Sequence, residues 1–327
     1  MRVPAIDVYT TFRCNMRCGH CFVGELLDTA ADLDWDALCA FLETARTEWS
    51  SEEVAFLGGE PSLYPHIGRA IARAQELGFR VRLVSNGGLS LGRLLEERRD
   101  DAPFAVTVSV DGDSSAVHDG IRRPRSFERA LRSLEAVRQA GHEAAAIVSI
   151  GTHNLQRALP TLVLLDELKL HHINVHYVSN RGYAARQPVI SARRWMALRQ
   201  EMKKLGLTTP VRVDRGFTSR ASLSGCAVEK DSELLLFPDG RVFQCPMFLG
   251  MADGHSFTWD GTDLKRNPNF LLRRTEGTQE REFKHCPAMR IVNAPLCEES
   301  ERVGQHVACI FDKVTLPAAG MYVPSIQ

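Results

Sequence analysis

The feature that most constrains the fold is an alternation of short apolar runs with amphipathic segments, from residue 5 to about residue 178. The apolar runs predict six strands, at about 5–9, 53–58, 80–85, 104–110, 144–150 and 172–178. The amphipathic segments predict helices at about 34–49, 65–77, 90–98, 126–140, 155–169 and 191–205. This rhythm is typical of a parallel sheet with helical crossovers. It predicts an α/β fold, a partial (β/α)6 TIM-like barrel that is open on one side.

Residue types at the helix ends support these assignments. Asp34 precedes the first helical segment as a plausible N-cap, and Gly78 and Gly141 follow two others, where glycine commonly ends helices. Cys39 lies among apolar residues of the first helix, so we expect it in the core.

The pattern changes after about residue 210, where helical periodicity fades and Gly, Pro and Cys become more frequent. We therefore predict two domains, a barrel over residues 1–210 and a small cysteine-rich domain over residues 211–327. Within the second, two apolar runs flank Pro238-Asp239-Gly240, which indicates a β-hairpin. Such a hairpin would bring Cys226 and Cys245, which flank it, close together.

Composition narrows the class of protein. The 327 residues are 44% apolar, and Lys plus Arg equals Asp plus Glu at 40 each, so no basic field argues for nucleic acid. No apolar run approaches the roughly 18 residues that span a bilayer, and the amino terminus lacks a signal-peptide stretch. We therefore expect a cytoplasmic chain without a membrane partner. In that compartment nine cysteines favour metal binding over disulfides.

Three cysteines near the amino terminus, Cys14, Cys18 and Cys21, have C-x3-C-x2-C spacing. Three thiolates can hold a four-iron cluster and leave one iron without a protein ligand, whereas an electron-transfer ferredoxin normally fills all four positions. The motif follows the first predicted strand, at the end of a parallel barrel where chemistry gathers. The alternative is a zinc site, with His20 as a fourth ligand.

The cysteine motif resembles that of radical S-adenosylmethionine (radical SAM) enzymes. The resemblance implies a [4Fe-4S] cluster with an open iron, which the methionine part of S-adenosyl-L-methionine chelates. It also implies a 5′-deoxyadenosyl radical that abstracts hydrogen from the substrate, and a flavodoxin- or ferredoxin-type electron donor.

Further segments at strand ends resemble the same family. Gly58-Gly59-Glu60-Pro61 looks like the loop that binds the methionine amino group, so Glu60 and the carbonyls of Gly58 and Gly59 would receive the ammonium. By similarity, Ser109 and Asp111 would contact the ribose or carboxylate of the cofactor, and Arg122 would pair with the carboxylate. The remaining cofactor contacts implied are Ser85, Asn86 and Ser149, the last beside the adenosine. Residues 175–178 and 182–184 would face the substrate.

Five further cysteines follow residue 210. Gly240 precedes Cys245 by the Gly-x4-Cys interval of the SPASM and Twitch extensions of radical SAM enzymes, which hold auxiliary four-iron clusters. The chain departs from the seven-cysteine SPASM pattern, since Met289 stands where a cysteine would follow Cys286. The resemblance therefore implies a Twitch-like domain with one auxiliary [4Fe-4S] cluster. Its ligands would be Cys226, Cys245, Cys286 and either Cys297 or Cys309.

Of these two alternatives we assign Cys297 to the metal and Cys309 to catalysis, as a hydrogen-atom donor. Zinc remains open as the metal of this group.

The reaction is expected to be dehydrogenation, epimerisation or decarboxylation. Because the first strand begins at Ala5, we expect no leader-recognition domain, which favours a small natural-product substrate such as a sugar, aminocyclitol or nucleoside-like molecule. The runner-up is modification of a ribosomal peptide or protein side chain. A non-enzymatic alternative is an iron–sulfur electron carrier. A zinc-dependent nucleic-acid binder conflicts with the balanced charge.

Overall fold

A single twelve-stranded sheet organises the protein, seen here in a computed structural model that describes residues 2–98, 101–219, 226–272 and 285–317. Its strand order is β12-β11-β10-β9-β1-β2-β3-β4-β5-β6-β7-β14, with a separate pair formed by β8 and β13. The strands are β1 (Ala5–Tyr9), β2 (Glu53–Leu57), β3 (Arg80–Ser85), β4 (Ala105–Ser109), β5 (Glu143–Ile150), β6 (His172–Tyr177), β7 (Val211–Asp214), β8 (Phe217–Thr218), β9 (Glu233–Leu236), β10 (Arg241–Phe243), β11 (Phe257–Trp259), β12 (Leu264–Arg266), β13 (His306–Val307) and β14 (Lys313–Leu316).

Helices connect the parallel strands β1 to β7, and further helices lie in the carboxyl-terminal part of the chain. They are α1 (Trp35–Thr47), α2 (Ile67–Glu76), α3 (Leu89–Glu97), α4 (Ser115–Ile121), α5 (Phe127–Gln139), α6 (Ala158–Glu167), α7 (Ala192–Lys203), α8 (Ala227–Lys230), α9 (Pro287–Val292) and α10 (Ala294–Arg302). Asp34 caps α1 as expected, since its side chain accepts from the N–H groups of Asp36 and Ala37. Gly78 and Gly141 follow α2 and α5 with positive φ.

The predicted mixed α/β fold with a parallel sheet is confirmed, and all six predicted strands and six predicted helices are present. Two elements of the barrel were missed. Helix α4 lies between β4 and α5, and β7 is a seventh parallel strand that pairs with β6. Cys39 was placed wrongly, because its side chain is partly exposed on α1 instead of lying in the core.

The carboxyl-terminal part of the chain extends the barrel sheet at both edges. The expected hairpin is present as β9 and β10, with Gly240 at its turn. Strand β9 pairs in parallel with β1, and β14 pairs antiparallel with β7. Because each outer strand satisfies backbone groups that an open edge would expose, the cysteine-rich segment is built onto the barrel. The domain boundary at residue 210 stays a prediction, and parts of 211–327 lie outside the described residues.

Small side chains point into the barrel where bulky ones are usual. Barrel interiors are normally filled by Val, Ile and Leu, but here Ala55, Ala105 and Thr107 occupy inward positions on β2 and β4. They leave a cavity of about 1140 Å³ that reaches the cysteine motif. The fold thus places the cysteine motif on the wall of a cavity that has room for a ligand. Among the residues described, no helix has the length and apolar character needed to cross a bilayer.

Candidate active site

The three amino-terminal cysteines lie on the loop after β1, and all three line the cavity. Each is partly buried. Burial raises the pKa of the Cys14 thiol to about 12, although the Met16 N–H, 3.4 Å from its sulfur, acts in the opposite direction. Burial also raises the pKa of Cys18, against the opposing charge of Arg122. Without a metal the Cys14 and Cys18 thiols would stay protonated at neutral pH.

The loop after β2 packs against the cysteine loop through its backbone. The Gly59 N–H donates to the Thr11 carbonyl at 2.7 Å, and the Glu60 N–H donates to the Arg13 carbonyl at 2.8 Å. A methyl group on Gly58 would overlap the Thr11 carbonyl oxygen, and one on Gly59 would overlap that of Arg13. The two glycines therefore allow the close approach that we expected, and the partner in the structure is the cysteine loop itself.

Glu60 is fully buried and ties the end of β2 to the end of β3. Its carboxylate accepts from the Ser85 hydroxyl at 2.8 Å, the Asn86 N–H at 2.7 Å and the Ser62 N–H at 3.2 Å. Burial raises the pKa of Glu60, and these hydrogen bonds oppose the rise. Because protein donors occupy the carboxylate, Glu60 orients the neighbouring backbone.

Residues inside the cysteine motif are held by the next strand ends. The Asn86 amide donates to the Asn15 side chain at 2.8 Å, and the Gly19 N–H donates to the Ile121 carbonyl at 3.1 Å. The His20 Nε2 lies 3.2 Å from a carboxylate oxygen of Asp111. Sequence reasoning gave Asn15 no role and considered His20 only as a zinc ligand. The position of both residues between the cysteines was the only sequence feature that pointed to a role in this site.

A buried ion pair, Asp111 with Arg122, lies under this loop. The guanidinium Nε is 2.5 Å from the carboxylate of Asp111, which also accepts from the Ser149 N–H at 2.8 Å. Burial opposes ionisation of Asp111, but Arg122 and His20 outweigh it and hold its pKa far below the usual range. Burial alone would lower the pKa of Arg122, whereas the charges of Asp111 and Cys18 raise it.

The structure brings the predicted amino-terminal site residues to one cavity. The ones that line it are Cys14, Cys18, Cys21, Gly58, Gly59, Glu60, Ser85, Asn86, Ser109, Arg122 and Ser149. Asp111 supports this wall through Arg122 and the Ser149 backbone. Asp214 and Lys313, which the sequence analysis did not identify, also line the cavity, together with His176 of the segment expected to face the substrate.

Four of the five carboxyl-terminal cysteines lie close enough for the charge of one thiolate to shift the pKa of another. Burial is the main cause of the raised pKa of Cys245, and Cys286, Cys309 and Cys226 add to it. Backbone N–H groups point at three of these sulfurs, from Met247 to Cys245, from Ala288 and Met289 to Cys286, and from Phe311 and Ala227 to Cys309. Donors of this kind favour thiolates.

Cys297 is not part of this group. It lies buried on α10, and the charges acting on its thiol come from Arg290, Glu301 and Glu298. Burial raises its pKa to about 11. The structure therefore brings Cys309, assigned above to catalysis, together with Cys226, Cys245 and Cys286, and leaves Cys297 apart from them.

The spacing of the thiols bears on the zinc alternative. Ligands of one tetrahedral zinc ion lie about 3.8 Å apart, given Zn–S bonds of about 2.3 Å. Within the described parts of the chain, a single group of three or more ligand-type side chains has all its ligand atoms within 4.8 Å, namely His285, Glu301 and His306. Neither cysteine group is among the sets of described residues that meet this limit.

Comparison with known proteins identifies the amino-terminal part. Residues 8–165 match the family model described as the radical SAM superfamily. An AdoMet-dependent heme synthase of Methanosarcina barkeri is 29% identical over 175 residues, which are 53% of this chain and 50% of that protein. A GTP 3',8-cyclase of Streptomyces coelicolor is 30% identical over 149 residues, or 44% of each chain. The chain thus spans half or less of the length of these curated relatives.

Solved structures share the fold. Streptococcus suis SuiB bound to S-adenosylmethionine aligns with a TM-score of 0.62 at 15% identity, covering 76% of this chain and 62% of that one. Native anSMEcpe with AdoMet and the Cp18Cys peptide aligns with a TM-score of 0.62 at 13% identity, covering 81% and 79%. The matched family region contains the three-cysteine loop, the Gly58–Glu60 loop and the Asp111–Arg122 pair, and it identifies residues 8–165 as a radical SAM domain.

Proposed function

We propose that the protein binds a [4Fe-4S] cluster through Cys14, Cys18 and Cys21, binds S-adenosyl-L-methionine beside it, and acts on a small molecule in the barrel cavity. One observation carries this proposal. Three thiols in C-x3-C-x2-C spacing lie on the wall of a cavity of about 1140 Å³, beside a buried arginine.

The residues present fit such a cluster. Three partly buried thiols face the cavity, and Arg122 places a positive charge near Cys18 and Cys21. The Met16 N–H points at the Cys14 sulfur. A cationic group and an N–H donor both stabilise thiolates against the cost of burial. When bound, the cluster and its cofactor supply a 5′-deoxyadenosyl radical that can take hydrogen from an unactivated carbon.

The chain's own residues would orient the cofactor. The carbonyls of Gly58 and Gly59 would accept its ammonium, with Glu60 holding that backbone in place through Ser85 and Asn86. Arg122 keeps its Nε on Asp111, so its terminal nitrogens can bind the cofactor carboxylate. Ser109 and Ser149 line the cavity where the ribose and adenosine would lie.

We assign a second, auxiliary [4Fe-4S] cluster to Cys226, Cys245, Cys286 and Cys309. The mutual influence of these thiols and their backbone N–H donors support the set. With four protein ligands, this cluster would have no open iron and would suit electron transfer. Cys309 is thereby a ligand, and neither it nor Cys297 is retained as a hydrogen-atom donor.

A small-molecule substrate is favoured by the curated relatives, which are named a heme synthase, a GTP 3',8-cyclase and, at 36% identity over 153 residues, a nucleotide dehydratase. A second candidate is peptide modification, because SuiB and anSMEcpe structures contain a precursor peptide and the Cp18Cys peptide. The cavity of about 1140 Å³ has room for such a small molecule. Dehydrogenation, epimerisation and decarboxylation stay as the candidate reactions, with a flavodoxin- or ferredoxin-type electron donor.

The test is formation of 5′-deoxyadenosine by anaerobically reconstituted, reduced protein given S-adenosyl-L-methionine. We expect the product from the wild type and from Cys39→Ala, whose thiol lies on the outer helix α1. An electron carrier with two fully ligated clusters would form none, and that result would overturn the proposal. Exact-mass analysis of an extract incubated with the enzyme then separates a small polar product from a modified peptide.

A further inference from the structure

A carboxylate and a guanidinium face each other inside the barrel. Asp7 on β1 and Arg82 on β3 both line the cavity that reaches the cysteine motif. Ala55, on the strand between them, is the register partner of both, so the three side chains lie at one level of the barrel. Because the methyl group of Ala55 fills little space, the Arg82 Nη2 comes within 3.7 Å of the Asp7 Oδ1. The pair therefore lies in the space that a ligand of the barrel would occupy.

Both charged side chains are accessible from the cavity. The side chain of Arg82 is 42% exposed and that of Asp7 is 20% exposed, although β1 and β3 are interior strands of the sheet. A separation of 3.7 Å is longer than a hydrogen bond, and within the part of the chain that the structure describes neither side chain forms one. The guanidinium donors and the carboxylate acceptors therefore stay available to a bound molecule.

The charges beside this pair set the sign of the ligand group that each side chain prefers. Glu233 on β9 lines the same cavity, and burial raises its pKa to about 8, with the charge of Asp7 adding to the rise and those of Arg82 and Lys313 opposing it. Two carboxylates that disfavour each other's ionisation favour a cation nearby, so an ammonium suits the Asp7 side. A guanidinium fork suits a planar carboxylate. A phosphate with two charges would be repelled by Asp7 and Glu233.

We propose that Asp7 and Arg82 bind the head group of an α-amino acid, with its ammonium on Asp7 and its carboxylate on Arg82. Both groups of an α-amino acid are attached to one carbon, which fits an acceptor and a donor that lie 3.7 Å apart. The zwitterion has no net charge and so matches a pair whose own charges cancel. Its side chain would extend toward the carboxyl end of β1, which the cysteine motif follows. This inference rests on the proposed function and specifies the substrate class of the same cavity.

The test measures binding by calorimetry to anaerobically reconstituted, unreduced holoenzyme. Saturating S-adenosyl-L-methionine is present, so that the amino-terminal cluster cannot bind the probe. The probes are the common L-amino acids, each with its carboxamide, which lacks the carboxylate, and its N-acetyl derivative, which lacks the ammonium. We expect the wild type to bind at least one amino acid with a Kd below about 10 mM. It should bind both derivatives of that amino acid at least about tenfold more weakly, since each loses a hydrogen bond between charged groups.

Two variants assign the contacts through ratios of affinities, which a partial loss of folded protein does not change. Arg82→Gln should lose the preference for the amino acid over its carboxamide, and Asp7→Asn should lose the preference over the N-acetyl derivative. Arg132→Gln removes an exposed guanidinium from the outer helix α5 and should bind as the wild type does.

Three results would each overturn the inference: no binding of any amino acid, equal affinity of the wild type for the amino acid and its derivatives, or unchanged preferences in both cavity variants. Formation of 5′-deoxyadenosine by the wild type without added amino acid is scored separately. Its absence counts against the proposed function alone.

Discussion

The two cysteine groups of this protein are assembled in different ways. Cys14, Cys18 and Cys21 come from one loop of eight residues, whereas Cys226, Cys245, Cys286 and Cys309 come from four separate segments. The first group lies partly exposed on the cavity wall, and the second includes two buried thiols with backbone donors. Spacing within one loop is enough to form a site of three thiols. A site in which the protein supplies all four thiols depends on tertiary packing that brings distant segments together.

The sharpest test of this difference is loss of the amino-terminal ligands. Cys18→Ala should reduce 5′-deoxyadenosine formation to the background rate and remove about four iron atoms per chain, because three thiolates are the minimum protein ligand set proposed for this cluster. Iron and sulfide analysis of anaerobic protein measures the second effect. Cys39→Ala is the matched control, and equal losses in both variants would refute the assignment.

The carboxyl-terminal group is tested by comparing Cys309→Ala with Cys297→Ala. The first should lose about half of the iron, that of the auxiliary cluster, and the second should keep all of it. The reason is that Cys309 lies with the other three thiols and Cys297 does not. Iron content and the electron paramagnetic resonance spectrum of the reduced protein report the outcome. Loss of iron from the Cys297 variant instead would restore the ligand set expected from the sequence.

The packing between the cysteine loop and the β2 loop gives a third test. Gly59→Ala should lower the free energy of unfolding by about 2–4 kcal/mol, since the added methyl overlaps backbone carbonyl oxygens that cannot move independently. Gly92→Ala, on α3 with open space around it, should instead raise it by up to about 1 kcal/mol. Denaturant unfolding measures both. A neutral Gly59→Ala would show that the close approach is not required.

Two buried carboxylates, Asp111 and Asp214, should change the stability of the protein with pH in opposite directions. The pKa of Asp111 is lowered, so its pairing stabilises the protein above about pH 4 and the stabilisation is lost as the pH falls further. The pKa of Asp214 is raised to about 7, so its ionisation destabilises the protein progressively as the pH rises from about 4 to about 7, and the loss is complete above that.

Asp111→Asn should therefore be destabilising at pH 7, by about 2–3 kcal/mol for a broken buried pair. Asp214→Asn should gain stability relative to the wild type between pH 5 and pH 8, by about 1–2 kcal/mol. Unfolding curves at several pH values measure both trends. A pH-independent difference for Asp214→Asn would mean that its carboxyl titrates normally.

Much of the barrel was predictable because its signals are local. Strands β1 to β6 carry short apolar or alternating runs, Asp34 caps its helix, and the turn around Gly240 has the expected hairpin residues. Strand β7 was missed because four residues are too few to show a pattern. Helix α4 was missed because seven residues with a glycine near the end show no clear apolar stripe.

The sequence by itself determined the three-cysteine loop, the glycines beside it and the mixed α/β class, since spacing and periodicity along the chain specify each of them. Only the tertiary structure decided that Cys309 joins Cys226, Cys245 and Cys286, that Glu60 is occupied by protein donors, and that Asp214 lies on the cavity wall. Those features depend on β9 and β14 adding to opposite edges of the barrel sheet. Contacts between residues far apart in the chain leave no periodic trace in it, so packing alone reveals them.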